Sequence, residues 1–324
     1  MPDFRVLLTD YAWNDLDIER RVLADGGGEL VVAPSGDAET LARLAADCDA
    51  IMTNWAKVPE AVIAACPRCR IVSRLGIGLD NIDVAYATTR GIPVTNCPDY
   101  CLVEVAEHAL ALLLALSRKV AYYHHATKTG VYDLKAGPTL RRIEGQTLGI
   151  VGLGNIGVKL ADKARGLGLA ILATSRSRKN SVDGVRFVEL DELLAESDYV
   201  SLHVPATPDT KHLIGKAQLA RMKPSAYLIN TARGAIVDHA ALADALAAGK
   251  LAGAALDVQE FEPPDLGTPP YNDPRVIVTP HAAFVSVESL ENLRRRVAQQ
   301  VVDRLHGRVP ENVVNAAAIG MDAR

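Results

Sequence analysis

A glycine-rich turn is the first place in this chain where residue types and spacing imply chemistry. Gly152-Leu153-Gly154-Asn155-Ile156-Gly157 follows an apolar run at 148–151 and opens a helical pattern over 156–166. Such turns are common, and alone this one could be a left-handed bend and nothing more. Its setting between strand and helix gives it meaning. Gly152 allows the tight turn, Gly154 lets backbone amides approach a pyrophosphate, and Gly157 lets the helix pack close to the strand. The positive end of that helix would then face the phosphates. The choice of cofactor should be made at the end of the next strand, where a carboxylate accepts from a ribose 2′-hydroxyl and repels a 2′-phosphate. Here the run is Thr174-Ser175-Arg176-Ser177-Arg178-Lys179, with no acid before Asp183. Arg176, Arg178 and Lys179 could pair with a phosphate dianion, or they could form a solvated basic loop. The missing acid and the added bases both favour NADP over NAD.

Three further segments fall at the C-terminal ends of expected strands, where open α/β sheets place their ligands. They are Asn230-Thr-Ala-Arg233-Gly234, Leu256-Asp257-Val-Gln-Glu-Phe-Glu262-Pro263 and Val278-Thr-Pro-His281. Singly, Arg233 could be a surface charge, Glu262 one carboxylate in an acidic loop, and His281 a structural histidine. Three chemically matched groups at three such ends argue for one site. Other candidates are weaker. Glu104 and His108 share a helix face at i and i+4, but nothing nearby completes a metal shell, so no metal is expected. Cys66-Pro-Arg-Cys69 ends a helix instead of opening one after a strand, which speaks against a redox motif. His124 and His125 lie in a polar stretch, and His203 ends a strand near the expected cofactor cleft, lining it more plausibly than reacting.

These groups need elements to hold them. Apolar, β-branched runs at residues 5–9, 29–33, 50–54, 71–75 and 92–95 alternate with helical stretches near 15–24, 38–46 and 59–65. Short apolar strands alternating with helices imply parallel pairing with both faces covered. A long helix over 102–120 and a polar, weakly periodic segment at 122–146 follow. A second series has strands at 147–151, 170–174, 199–203, 226–230, 253–257 and 276–279, and a last helix covers 287–305. The expected fold is therefore α/β, with two doubly wound parallel-sheet domains, as 324 residues also suggest. Hydrophobic residues make up 49% and charged residues 23%, and the net charge of −4 gives no electrostatic case for nucleic acid. The odd count of five cysteines argues against a disulfide framework. The N-terminal run reads as a strand and not a signal peptide. The most apolar helix carries Glu104, Glu107 and His108 and falls short of a membrane span. A cytoplasmic protein is expected.

With these segments in hand, the sequence resembles the D-isomer-specific 2-hydroxyacid dehydrogenases nearly end to end. The resemblance includes Ser73-Arg-Leu-Gly76-Ile77-Gly78-Leu-Asp-Asn-Ile-Asp83, Glu104-Val-Ala-Glu-His-Ala-Leu-Ala-Leu-Leu-Leu114, His203-Val204-Pro205-Ala-Thr-Pro-Asp-Thr210 and Asn312-Val-Val-Asn315. It implies a flavodoxin-like substrate domain at 1–100 plus 286–324. A Rossmann dinucleotide-binding domain at 101–285 would be inserted into it, with the active site in the cleft and a dimerisation helix and arm at 102–146. His281 would be the general acid that protonates the keto oxygen, Glu262 would pair with its imidazolium, and Arg233 would bind the substrate carboxylate. Backbone amides at Gly76, Ile77 and Gly78 would hold the other carboxylate oxygen. Asp257 would receive the nicotinamide carboxamide. The other implied cofactor contacts are Gly152, Gly154, Asn155, Ile156, Gly157, Ser175, Arg176, Arg178, Val204, Pro205, Thr210, Thr231 and His281. The implied partners are a small-molecule substrate and a second copy of the chain, with no nucleic acid and no membrane.

The sequence departs from the family where many relatives carry an acid and this chain has Ser175-Arg176. It is also distinctive in Asn54-Trp55-Ala56-Lys57-Val58, where Trp55 could shrink the pocket toward glyoxylate or stack on an aromatic substrate. Lys57 could meet a phosphate or a second carboxylate. Glyoxylate or hydroxypyruvate reduction is the favoured expectation, because the chain ends at Arg324 without the regulatory domain of long phosphoglycerate dehydrogenases. NAD-dependent oxidation of 3-phosphoglycerate is the alternative. A nucleotide-sensing corepressor-like protein, suggested by Asn96-Cys-Pro-Asp-Tyr-Cys101, is a third reading, set against an intact catalytic trio.

Overall fold

The computed structural model describes residues 1–176 and 182–321. Arg178 and Lys179 lie outside the described residues. The chain divides into two compact units, Met1–Tyr100 with Ser286–Arg324, and Cys101–Val285.

The first unit runs β1 (Phe4–Leu8), α1 (Asp17–Asp25), β2 (Gly28–Val32), α2 (Ala38–Ala45), β3 (Ala50–Thr53), α3 (Glu60–Ala64), β4 (Val72–Arg74), α4 (Val84–Thr89) and β5 (Val94–Thr95). Its sheet is parallel in the order β2-β1-β3-β4-β5, the flavodoxin-like arrangement. Alternation along the strands feeds two cores. Val6, Leu8, Ala50 and Met52 enter one face, and Leu7, Ile51 and Val72 enter the other.

The second unit opens with α5 (Leu102–Arg118) and α6 (Val120–Lys128), separated by Lys119 in the left-handed conformation. It continues through β6 (Thr147–Val151), α7 (Asn155–Arg165), β7 (Ala170–Thr174), β8 (Val185–Phe187), α8 (Leu190–Glu196) and β9 (Tyr199–Leu202). Then come α9 (Lys216–Leu219), β10 (Tyr227–Asn230), α10 (His239–Ala247), β11 (Gly253–Leu256) and β12 (Val276–Val278). Seven parallel strands lie in the order β12-β11-β10-β9-β6-β7-β8. Strand β6 pairs with both β7 and β9, so the chain order reverses there, and a crevice at such a reversal is where a doubly wound sheet binds its ligand.

The chain returns to the first unit as α11 (Val287–Leu305), started by a reciprocal capping box between Ser286 and Ser289. Leu293, Val297 and Val301 pack into the core of β1 and α1. Arg294 reaches the fully buried Glu19 through a bidentate pair at 2.9 and 2.8 Å.

Helices α4 and α6 and strand β8 are among the elements not expected from the sequence. Helix α6 has no buried residue, so it lacks the apolar stripe that periodicity detects. Strand β8 is a three-residue edge strand, and α4 has one buried side chain. Among the described residues, no helix is long and apolar enough to cross a membrane, and no three His, Cys, Asp or Glu groups gather as metal ligands.

Candidate active site

The glycine turn sits at the C-terminal end of β6, at the reversal of strand order. Gly152 has φ 98°, and a Cβ there would lie 2.8 Å from the His203 carbonyl oxygen. A Cβ on Gly157 would lie 2.7 Å from the Gly152 carbonyl oxygen, so helix and turn are in contact. A Cβ on Gly154, the N-cap of α7, would meet nothing within 4 Å. The first and third glycines thus serve packing, and the second leaves open space over the helix N-terminus, on the side where Asn155 and Ile156 begin the helix. At the end of β10, the Thr231 hydroxyl is buried with no hydrogen-bond partner among the described residues. An open amide cradle after β6 and an orphaned hydroxyl after β10, with β9 between them in the same sheet, fit a dinucleotide.

Beyond β7, Ser175 is half-buried and Arg176 exposed. The Arg176 guanidinium donates to Asp209 at 3.1 Å, and both side chains are largely solvated. Asp209 belongs to the loop after β9, where Val204 is half-buried and Pro205 exposed. Thr210 closes that loop by donating to the Pro205 carbonyl at 2.6 Å and accepting from the Thr207 amide at 2.8 Å. The His203 ring bonds the Ser201 hydroxyl at 2.8 Å, and burial pushes its pKa down to about 4, so it is neutral at physiological pH.

The three chemical groups rise from adjacent strands. His281 Nδ1 lies 2.8 Å from Glu262 Oε2, with 23% and 35% of the two side chains exposed. The Gln259 amide donates to Glu262 Oε1 at 3.0 Å. Burial alone would raise the Glu262 pKa. The His281 hydrogen bond and charge, the Gln259 amide and the Arg233 guanidinium outweigh it and hold the carboxyl below its usual range. Arg233 is brought close because its loop packs tightly on the next one: a Cβ on Gly234 would lie 2.0 Å from the Gln259 carbonyl oxygen. The buried Asn230 fixes the same loop, accepting from the Ala232 amide at 3.0 Å and donating to the Arg233 carbonyl at 2.8 Å.

Asp257 is fully buried. Its carboxylate accepts from the Thr279 hydroxyl at 2.6 Å and from the Ala282 and Ala283 amides at 2.9 Å each, while its carbonyl accepts from the His281 amide at 2.8 Å. Burial would raise the Asp257 pKa, but donors from His108, Thr279, Ala282 and Ala283 hold it at about 2. In the first unit, the carbonyls of Gly76 and Ile77 accept from the Cys97 amide and the Asn96 side chain at 3.0 and 2.7 Å. Among the described residues, the amides of Gly76, Ile77 and Gly78 donate to no acceptor in the protein. Trp55 is 44% exposed, and its amide is anchored on Asp10 at 2.8 Å. Lys57 is exposed.

The family model described as the D-isomer specific 2-hydroxyacid dehydrogenase, NAD binding domain, matches residues 110–283. A glyoxylate reductase of Korarchaeum cryptofilum is 41% identical over 280 residues, 84% of this chain and 84% of that protein. The chain belongs to the D-2-hydroxyacid dehydrogenase family. It is thus an NAD(P)-dependent oxidoreductase, with a Rossmann unit at 101–285. A D-3-phosphoglycerate dehydrogenase of Archaeoglobus fulgidus is 39% identical over 90% of this chain and 56% of its own length. The D-lactate dehydrogenase of Aquifex aeolicus, solved with NAD and lactic acid, superposes with a TM-score of 0.87 at 28% identity, covering 96% of this chain and 98% of that one.

Set in a D-2-hydroxyacid dehydrogenase, the layer behind the trio is what sequence reading did not find. Gln259 donates through its side chain to the Leu256 and Thr279 carbonyls at 3.1 and 3.2 Å, tying β11 to β12 behind Glu262. Asn230, Gln259 and Thr279 share one signal, a polar residue at or just past the end of an apolar strand. The acid beside Arg176 was also missed, because Asp209 is supplied by another loop. Cys66 and Cys69 donate to the Cys48 and Ile71 carbonyls, and burial pushes the Cys48 and Cys97 thiols up to about 11 and 12.

Proposed function

We propose that this dehydrogenase reduces a small 2-keto acid of the glyoxylate or hydroxypyruvate class, with NADP(H) preferred. The observation that carries the reading is the His281–Glu262 pair at 2.8 Å, flanked by the Arg233 charge, in the same sheet as the glycine cradle. The bound dihydronicotinamide supplies the hydride. His281, turned to Glu262 through Nδ1, gives a proton from Nε2 to the keto oxygen. Glu262 keeps the ring oriented. Arg233 takes the substrate carboxylate with its planar fork, and the Gly76, Ile77 and Gly78 amides are the second anchor. Trp55 limits substrate size. Asp257 would receive the carboxamide, and Oδ2 is its less committed oxygen, taking only the Ala283 amide while Oδ1 takes Thr279 and Ala282. Val204, Pro205 and Thr210 shape the loop over the cofactor.

The NADP preference rests on Arg176, since no acid ends β7. Asp209 opposes it by neutralising that guanidinium at 3.1 Å. The test follows oxidation of NADPH and of NADH with glyoxylate, hydroxypyruvate, pyruvate and phenylpyruvate, with 3-phosphoglycerate oxidation as the contrasting reaction. Turnover of small keto acids with NADPH, lost in His281→Ala, is expected. Arg176→Ala should lower kcat/KM for NADPH roughly tenfold, the effect of one charge-assisted contact of about 1.4 kcal/mol, and Asp209→Asn should raise it. A wild-type preference for NADH, or turnover confined to 3-phosphoglycerate, overturns the reading.

A homodimer is part of the proposal. Tyr132 and Leu134 are 93% and 83% exposed on the arm, and a groove of about 1100 Å³ lined by Leu116, Tyr122, Tyr199, Tyr227 and Val276 lies in the same unit. Light scattering should give twice the chain mass, and Tyr132→Asp with Leu134→Asp should halve it. A monomeric wild type refutes the assignment.

A further inference from the structure

His108, on α5, lies 173 residues before His281 in the chain and takes no part in the chemistry proposed above. Its Nε2 lies 3.1 Å from Thr279 Oγ1 and 3.4 Å from Asp257 Oδ1. The direction of these bonds can be deduced. Thr279 has one hydroxyl proton, and its 2.6 Å bond to Asp257 Oδ1 uses it, because the ionised carboxylate can only accept. The Thr279 oxygen must then accept from the ring, so His108 carries a proton on Nε2 and donates.

The chain of bonds continues to the acid. The Asp257 carboxylate accepts from the Ala282 and Ala283 amides at 2.9 Å each, and the Asp257 carbonyl accepts from the His281 amide at 2.8 Å. His281 itself has φ 53°, a left-handed conformation that costs a non-glycine residue about 1 kcal/mol and persists only when its surroundings enforce it. Its two following residues are held by the carboxylate that His108 and Thr279 fill from behind.

We propose that His108 is a positioning residue for His281: through Thr279 and Asp257 it locks the strained turn that presents the catalytic imidazole to Glu262. The inference rests on the reading of His281 as the proton donor. It also explains why a half-buried histidine on a helix face lies 3.4 Å from a buried acid.

The experiment compares His108→Ala, His108→Gln and His281→Ala in steady-state reduction of glyoxylate by NADPH, with dinucleotide binding measured for each. His108→Ala should lower kcat roughly tenfold to a hundredfold, in line with the cost of slight misplacement of a reacting group. Its KM for glyoxylate should stay within about twofold, because Arg233 and the Gly76, Ile77 and Gly78 amides are untouched. His108→Gln, whose amide nitrogen can donate from near the Nε2 position, should recover most of kcat. If His108→Ala does not fold, Thr279→Val against Thr279→Ser carries the same comparison, since only serine keeps the bridging hydroxyl. An unchanged kcat in the alanine or valine variant, a loss confined to KM, or no rescue by the conservative variant overturns the proposal. Full activity in His281→Ala removes the reading of the acid itself, whereas an inactive His281→Ala beside an unaffected His108→Ala refutes the positioning role alone.

Discussion

Replacing Glu262 by Gln removes one charge and almost no volume, which makes it the sharpest perturbation of the candidate site. The Gln259 amide would keep an acceptor in the amide oxygen, so the amide NH₂ would be turned toward His281 Nδ1. A neutral imidazole can accept there, but an imidazolium presents a second donor to that NH₂. The variant therefore gives up the charge-assisted hydrogen bond that the carboxylate makes to the ring. A charge-assisted hydrogen bond contributes about 1.5–3 kcal/mol against about 0.5–1.5 for a neutral one. With 35% of the Glu262 side chain exposed, solvent screening argues for a difference of roughly 1–2 kcal/mol. That corresponds to about a five- to thirtyfold loss in kcat/KM. The assay is kcat/KM for keto-acid reduction across about pH 5 to 9, beside dinucleotide affinity, which should not change. Because the Glu262 pKa is depressed below 4.5, wild type should keep the charged partner through the whole range and lose it only at lower pH. A variant within twofold of wild type, with the same pH profile, would refute the claim that the carboxylate charge serves His281.

Two further outcomes are expected. The pKa of Asp257 falls from 3.8 to about 2 on folding, so its contribution is fully present above pH 3.8 and lost as pH drops through 2. That is about 2 kcal/mol, and urea unfolding between about pH 5 and 2 should show this slope in wild type and a flatter one in Asp257→Asn, with equal slopes contradicting it. Glu19→Ala removes the bidentate partner of the buried Arg294 and leaves it only the exposed Asp15 at 2.8 Å, so it should cost about 2–3 kcal/mol of stability, read from the urea midpoint; a loss below about 1 kcal/mol would show the pair to be dispensable.

What the sequence disclosed divides by how local the physics is. The glycine turn is legible because its constraints act within six residues: a positive φ, a close helix and an open cradle demand glycine at fixed spacing. Both parallel sheets are legible because strands covered on two faces read as apolar runs such as Ala50-Ile-Met-Thr53. Helix α6 was not legible, since a helix without a buried face leaves no period to detect. The basic run after β7 disclosed its own charges and not its environment. Asp209 approaches Arg176 from 33 residues away and cancels part of the field that the run implies.

The same distinction separates the proposed reacting groups from the residues proposed to aim them. Arg233, Glu262 and His281 stand out because charged or titratable side chains at strand ends are chemically conspicuous. Thr279 and His108 do not, since a threonine closing an apolar strand and a histidine on an amphipathic helix are ordinary in isolation. Their significance lies in a contact spanning 171 residues of sequence, closed on the buried Asp257. A left-handed histidine can be kept only if several such long-range bonds agree on its place. On the proposed reading, the precision of the proton donor is set by polar atoms that touch no substrate, and the kcat of variants at those atoms measures it more directly than substitution of His281 itself.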